Sequence, residues 1–396
     1  MFPLDGITIL EFGHFIAGPG AALALADLGA NVLKVESLQG DHARGVAQAG
    51  DLTFANFNRG KKSIAVDLRD SRVARLVRQL AVKSDVVIQS LRPGVLAEFG
   101  LGCAELRKLN PRLIYASLSG FGSKGPSASR PGFDIAAQAE SGMMWINGDS
   151  KSPPTRVGFV VVDVGSTYVL SQAILAALFN RERMGIGAEL EVSLLNVAMH
   201  LQGVQWAGYL QGGPEPMRRG NGHAHAALSA ELIETRDGYI VLSAYLQDHW
   251  RRLCVALERD DLLKDRRFVT NELRTKNRHL LMEVLSPSFK LRSTADVVLY
   301  LASKGIVVAS VNNYSQASNH PDVIAEGMIR TIGKPEGGTM EVIRAPFRCS
   351  DWGEAATELA PKLGQDTRRV LTEMGCKDAE LDELIRDGVI QSDSTS

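Results

Sequence analysis

Cysteine is scarce in this 396-residue chain, and the four present (Cys103, Cys254, Cys349 and Cys376) form no Cys-x-x-Cys pair. That spacing argues against a disulfide scaffold or a zinc ribbon and for reduced thiols. A surplus of one charge sign is equally lacking: 44 Lys and Arg against 45 Asp and Glu leave a formal net charge of −1, with no long basic run. A broad polyanion-binding surface, and with it a nucleic-acid partner, is therefore not expected, whereas a local basic pocket is compatible with these numbers. No apolar run approaches the length of a membrane span, and the opening Met-Phe-Pro-Leu-Asp-Gly lacks the basic region of a signal peptide. The expectation is a cytoplasmic chain with no membrane partner. Internal repeats and low-complexity tracts are also missing.

What is present is the composition of a globular enzyme, 45% hydrophobic and 22% charged, in a chain long enough for two domains. Ile7–Phe12 reads as a strand, Gly18-Pro-Gly20 as a turn, Ala21–Leu28 as an alanine-rich helix stopped by Gly29, and Asn31–Glu36 as a second strand. Further strands are expected at Ser63–Leu68, Asp85–Gln89 and Leu113–Leu118, with helices at Arg72–Ala81 and Ala104–Leu109 between them. Alternation of this kind implies an α/β fold with a Rossmann-like, mainly parallel sheet.

A strand at Glu189–Ser193 and a helix over Leu194–Leu210 precede the most loop-like stretch, residues 211–222, which marks a domain crossing. Residues 228–315 read as a smaller α+β unit, with strands at Gly238–Ser243 and Val307–Val311. Helices around Arg368–Met374 and Asp378–Asp387 follow, and residues 391–396 are expected to fray. The expected division is a large domain from residues 1–210, a small domain from 211–325, and a return to the large domain from 326–396.

Two features carry possible chemistry. Gly18-Pro-Gly-Ala-Ala-Leu23, with Glu36 ending the next strand, is an incomplete dinucleotide fingerprint, because the third Gly or Ala is missing. A helix start near a nucleotide phosphate does not need the full fingerprint. Asp163 ends the run Val157-Gly-Phe-Val-Val-Val-Asp163 just before a strong helical pattern. That places it at or near a helix N-cap, where free N–H groups and the helix dipole stabilise an anion. A plain capping aspartate and a reactive carboxylate both fit this position.

Taken in order, many segments resemble the class III CoA-transferase family, which includes formyl-CoA and carnitine CoA-transferases and is related to alpha-methylacyl-CoA racemase. The matching segments include Pro3-Leu-Asp-Gly-Ile7, Ala17-Gly-Pro19, Ala26–Glu36, Gly40-Asp41, Asn58–Ser63, Arg92-Pro-Gly94 and Asn110-Pro-Arg112. Others are Ser119-Gly-Phe-Gly122, Arg130-Pro-Gly-Phe-Asp134, Asp163 with its helix, Arg183–Gly187, Arg219-Gly-Asn221 and Pro361-Lys-Leu-Gly364. The resemblance implies an interlocked homodimer and a reaction that moves CoA from an acyl-CoA donor to a small carboxylic acid. It implies Asp163 as the nucleophile, with mixed-anhydride and aspartyl-CoA thioester intermediates, and no metal or tightly bound cofactor. The helix start is expected to keep Asp163 ionised.

Position by position, the family pattern puts Ile16 and Ala17 near the pantetheine arm, and Val66 and Arg69 near the adenosine. Ser90, Leu91 and Arg92 fall along the nucleotide. Arg92 and Arg130 are candidates for phosphate charge. Racemases of the superfamily use a Gly-His-Asp element, which is Gly132-Phe133-Asp134 here; Phe133 carries no transferable proton, which favours transferase over racemase or epimerase. A catalytically silent CoA-binding protein is the remaining alternative. Glu98 and Ser37 replace frequent arginines of the family, and Gly222-His-Ala-His-Ala226 has one glycine where formyl-CoA transferase has a glycine-rich loop. Arg218, Arg219, His223 and His225 form a cationic group suited to a dicarboxylate acceptor, and His14 resembles a residue near the thioester.

Overall fold

The computed structural model describes residues 1–45, 47–223, 226–333, 339–352 and 358–392. The chain divides into two compact units. The larger comprises Met1–Met143, Arg156–Gly213 and Glu326–Ser396, and the smaller comprises Met144–Thr155 and Pro214–Ala325.

The larger unit is built on strands β1 (Thr8–Phe12), β2 (Asn31–Glu36), β3 (Lys62–Val66), β4 (Val86–Gln89), β5 (Ile114–Ser119) and β6 (Glu189–Ser193). The smaller unit contributes β7 (Glu231–Glu234), β8 (Tyr239–Ser243) and β9 (Val307–Ser310) as an antiparallel sheet. Back in the larger unit, β10 (Ile329–Gly333) and β11 (Thr339–Ile343) form a two-stranded antiparallel ribbon. The short β12 (Ile390–Gln391) completes the main sheet, whose order is β12-β3-β2-β1-β4-β5-β6. All its pairings are parallel except β12 with β3.

Helices cover both faces of this sheet, which explains the near-continuous apolar strands. In β1, Ile9 joins one core layer with the helices Ala17–Ala26 and Val161–Met184, while Leu10 joins the other with Val73, Val77 and Leu381. The alanine and glycine content of Ala17–Ala26 has a packing cause. Gly20 of that helix faces Thr167 of Val161–Met184 so closely that the helices need a residue without a Cβ there. The smaller unit has its own core around Trp250, Phe268 and Phe289.

Several local expectations are corrected. Gly18-Pro-Gly20 is not a turn but the first turn of the helix Ala17–Ala26, where Pro19 has no intrahelical partner to forfeit. Leu194–Leu210 breaks at Gln202 into two helices. Ile390 and Gln391 pair with Val66 and Ala65, so fraying does not begin at residue 391. Val161–Met184 is, by length and composition, apolar enough to cross a membrane, contrary to the sequence reading. Here it is a core helix that buries Val162, Leu170, Ile174 and Leu178.

Candidate active site

The strand order reverses between β1 and β4, and ligands of open parallel sheets bind at such a point, beyond the carboxyl ends of the strands. The segments leaving these two strands meet there: the His14 N–H donates to Ser90 Oγ at 3.2 Å. Gly18 packs against the same serine. Ile16 is the N-cap of Ala17–Ala26, so the two residues assigned to the pantetheine arm sit at a helix start over the switch point.

Between them the chain is strained. Phe15 has φ +60°, a left-handed conformation unusual for an aromatic residue. Its N–H donates to Asp41 Oδ1 at 3.1 Å. Asp41 is buried and pairs with Lys34 at 2.9 Å; Lys34 also pairs with Glu11 at 2.9 Å, and Glu11 with Lys61 at 2.7 Å. Lys61 donates to the Pro19 carbonyl at 2.8 Å and Lys34 to that of Gly13 at 2.8 Å. Four buried charges therefore fasten both sides of the Gly13–Pro19 segment. Burial works against the ionised Asp41, but bonding to His14 and the Lys34 charge outweigh it, leaving its carboxyl well below the usual range. Burial holds the Lys61 ammonium down at about 8.

Asp163 lies in the first turn of Val161–Met184 but is not its cap: Val160 occupies that position. The helix-start N–H groups of Val162 and Asp163 instead donate to Asp134 Oδ1, at 2.7 and 3.2 Å. Gln138 donates to Asp134 Oδ2 at 2.5 Å. The Asp163 carboxyl has no hydrogen-bond or ion-pair partner among the described residues. Burial, and then the charge of Asp134, push it up to about 7. This corrects the expectation that the helix start keeps Asp163 ionised. The Thr167 hydroxyl lies 3.2 Å from the Asp163 carbonyl and 3.4 Å from that of Ala17, joining the start of one helix to the first turn of the other.

The geometry of a switch point, a strained loop beside it and an unpartnered carboxyl agrees with the comparisons with known proteins. Residues 4–367 match the model of CoA-transferase family III. The chain belongs to that family. It is 35% identical to the probable fatty acyl-CoA transferase Rv3272 of Mycobacterium tuberculosis, over 92% of this chain and 96% of that one. It is 33% identical to succinyl-CoA:glutarate CoA-transferase of Mus musculus, over 100% and 92%. The crystal structure of Rv3272 in its orthorhombic form superposes with a TM-score of 0.84, covering 93% of this chain and 98% of that one. A CAIB/BAIF family protein from Brucella suis also gives 0.84, at 32% identity over 94% and 99%. The protein is a CoA-transferase.

In this CoA-transferase, His14, Val66, Arg69 and Leu91 line one cleft of about 420 Å³ beyond β1, β2 and β3, together with Ser37. Arg69 is exposed and pairs with Asp67 at 2.8 Å. Arg92 is not in that cleft; it is exposed and borders a separate hollow with Glu189 and Glu191. Arg130 pairs with Glu140, and its guanidinium stacks 4.4 Å from the Phe121 ring centroid. Glu98 is exposed at the end of a short helix, Val95–Glu98. A larger cavity of about 750 Å³ beside β10 and β11 contains none of the site candidates named from sequence, and its arginines are engaged. Arg59 pairs with Asp27, Arg348 with Glu326, and Arg344 donates to backbone carbonyls.

On the smaller unit, Arg218 donates to the Trp145 carbonyl at 2.9 Å and stacks over its ring, so its charge is already committed. Arg219 is exposed, His223 forms a β-bridge with Ala226, and His225 lies outside the described residues. No group of three or more potential metal ligands occurs among the described residues. Glu36, the acidic residue of the incomplete dinucleotide fingerprint, has its oxygens occupied by Arg44 and Ser63 at 2.8, 2.9 and 2.6 Å. Phe133 packs edge-on to Phe15, with ring centroids 5.7 Å apart, and supplies no proton where a racemase needs one. Sequence reasoning missed Asp134, Thr167 and the strain at Phe15. Asp134 stands inside a matched segment, where the resemblance draws attention to its neighbour Phe133 alone.

Proposed function

We propose that this enzyme transfers CoA between carboxylates with Asp163 as the nucleophile. The observation that carries the reading is the Asp163 carboxyl itself, free of partners among the described residues, in the first turn of the core helix whose backbone Thr167 ties to the start of Ala17–Ala26. The carboxylate attacks the thioester carbonyl of an acyl-CoA, forming a mixed anhydride and releasing CoA thiolate. The thiolate attacks the aspartyl carbonyl, which frees the donor acid and leaves an aspartyl-CoA thioester. The acceptor carboxylate then displaces the thiolate, and the thiolate returns to the new acyl carbonyl, restoring Asp163. Bonds of similar energy are exchanged at each step, so the cycle consumes no nucleotide.

The cleft lined by Val66, Arg69 and Leu91 supports a nucleotide position there, with Ser90, Ile16 and Ala17 leading toward Asp163. Arg92 and Arg130 remain proposed phosphate contacts, with Arg69 at the cleft a stronger candidate than Arg130, which is held by Glu140 and Phe121. A small dicarboxylate acceptor is the proposed substrate class, with Arg219, His223 and His225 as its contacts, Arg218 supporting them through Trp145, and His14 near the thioester. Relatives named for succinyl-CoA, glutarate and oxalate support that class. The helix Gly203–Leu210, which buries none of its residues and exposes Val204, Tyr209 and Leu210, supports the interlocked homodimer that the family implies. Light scattering during size exclusion tests the dimer.

The deciding experiment is incubation with acyl-CoA followed by hydroxylamine or borohydride, with the modified residue located by mass spectrometry. Modification at Asp163, together with loss of transfer in a folded Asp163→Ala variant, is the expected result. Retained turnover in that variant removes the proposal. A screen of succinyl-, acetyl- and formyl-CoA against a panel of acids identifies the substrates.

A further inference from the structure

We propose that Asp134 is a positioning residue that governs when Asp163 is ionised, by taking the helix-start N–H groups away from it and standing as a second negative charge beside it. The inference rests on the reading of Asp163 as the reactive carboxylate. Asp134 is buried and opens its own helix, Asp134–Glu140, yet its carboxylate reaches across to cap Val161–Met184. A negative charge on Asp134 is satisfied by three donors, the N–H groups of Val162 and Asp163 and the Gln138 amide. The neighbouring Asp163 carboxyl has none among the described residues. The Asp163 carboxyl, half-buried, without donors of its own and beside that charge, keeps its proton longer than an ordinary aspartate.

No other group competes for this role. Of the elements packed on the Val161–Met184 helix, Ala17–Ala26 carries no titratable side chain and Leu194–Leu201 carries only the exposed His200. Glu140 is paired with Arg130, and Tyr115 on β5 donates to the Leu101 carbonyl. On β6, Glu189 acts on Cys103 and Glu191 accepts from Ser123. Arg181, Glu182 and Arg183 lie in the last turns of the helix itself, away from Asp163. Among the described residues, Asp134 is the one charged group that acts on Asp163. The arrangement gives the reaction a carboxylate that is poorly solvated once it forms, and so more basic and more reactive toward a thioester than an ordinary aspartate.

The test replaces Asp134 by Asn, whose Oδ1 accepts the helix-start N–H bonds as Asp does but which carries no charge and gives up the bond from Gln138. Ionisation of Asp163 is followed directly by ¹³C-carboxyl NMR, its resonance assigned by its loss in Asp163→Asn, and the acid limb of kcat/KM is recorded alongside. The expected result is a fall of roughly one pH unit or more in the Asp163 midpoint, with the acid limb moving by the same amount. A midpoint that stays in place overturns the inference, because a purely structural cap is preserved in this variant. Asp134→Glu, which restores the charge, is expected to return the midpoint toward that of the parent enzyme. Should Asp134→Asn fail to fold, Asp134→Ser, a second uncharged capping residue, is read in the same way. Turnover by Asp163→Ala would remove the nucleophile reading, and the NMR midpoint would still decide the hold of Asp134 on Asp163.

Discussion

Gly20 lies directly opposite the Thr167 hydroxyl, and a Cβ on Gly20 would overlap it. That hydroxyl is also the link between the Asp163 and Ala17 carbonyls. Gly20→Ala is therefore expected to push the two helices apart at the site. Overpacking of this kind costs about 1–3 kcal/mol. Thermal melts should register the loss, and kcat should fall more than KM, since the displaced element is the one beside Asp163.

Asp163→Asn should change the pH dependence of stability. In the folded protein the Asp163 carboxyl is pushed up to about 7 from an ordinary value of 3.8, first by burial and then by Asp134. The unfolded chain thus releases this proton at lower pH than the folded one, and the wild-type protein loses stability as pH rises through that window. The variant does not carry this loss. Its advantage in stability, read from thermal or urea unfolding, should grow between pH 4 and 7 and level off above, reaching on the order of 1–2 kcal/mol after allowance for the partly solvent-exposed side chain. An advantage that is constant across the window contradicts the reading.

Removing one charge from the Glu11–Lys34–Asp41–Lys61 group should be severe. Glu11→Gln leaves the Lys61 and Lys34 ammonium groups facing each other without the shared carboxylate, and uncompensated buried charge costs about 3–5 kcal/mol. Urea denaturation measures it. Because Lys61 and Lys34 hold the Pro19 and Gly13 carbonyls, any folded fraction should also show a raised KM for acyl-CoA.

Among the arginines, Arg69 borders the cleft beyond β3 whereas Arg130 is held by Glu140 and Phe121. Losing one charge-assisted phosphate contact is worth about 1.5–3 kcal/mol. Arg69→Ala is accordingly expected to raise KM for acyl-CoA roughly tenfold or more with kcat little changed. Arg130→Ala should raise it by much less. Steady-state kinetics at fixed salt distinguishes the two, and the reverse ranking would move the phosphate toward Arg130.

The sheet was legible because its strands are apolar on both faces and separated by amphipathic helices such as Ser71–Lys83. Less legible were elements whose residues carry little periodic signal. Glycine and proline at 18–20 punctuate a sequence like a turn, yet here they open a helix pressed against another. Val160-Val-Val162 looks extended by propensity, but Asp134, some 29 residues earlier, supplies the cap that starts the helix. The residue type at Asp163 was readable; its protonation was not, since burial, and then a charge brought in by tertiary packing, set it. The buried Glu11 and Lys34 sit mid-strand, where sequence alone gives no sign that they find each other.

The antiparallel pairing of β12 with β3 has a consequence for biosynthesis. Ser63 on β3 donates its N–H to Asp366, 303 residues further along, and β12 comes later still. At 5–20 residues per second, a ribosome takes on the order of 15–60 s to supply those partners. For the later part of that interval, once β6 has been made, the nascent chain carries a parallel sheet whose β3 edge still awaits its partners, the kind of edge that recruits another chain. Cellular yield should then depend on how quickly the last helices arrive, or on a chaperone that shields β3 until they do.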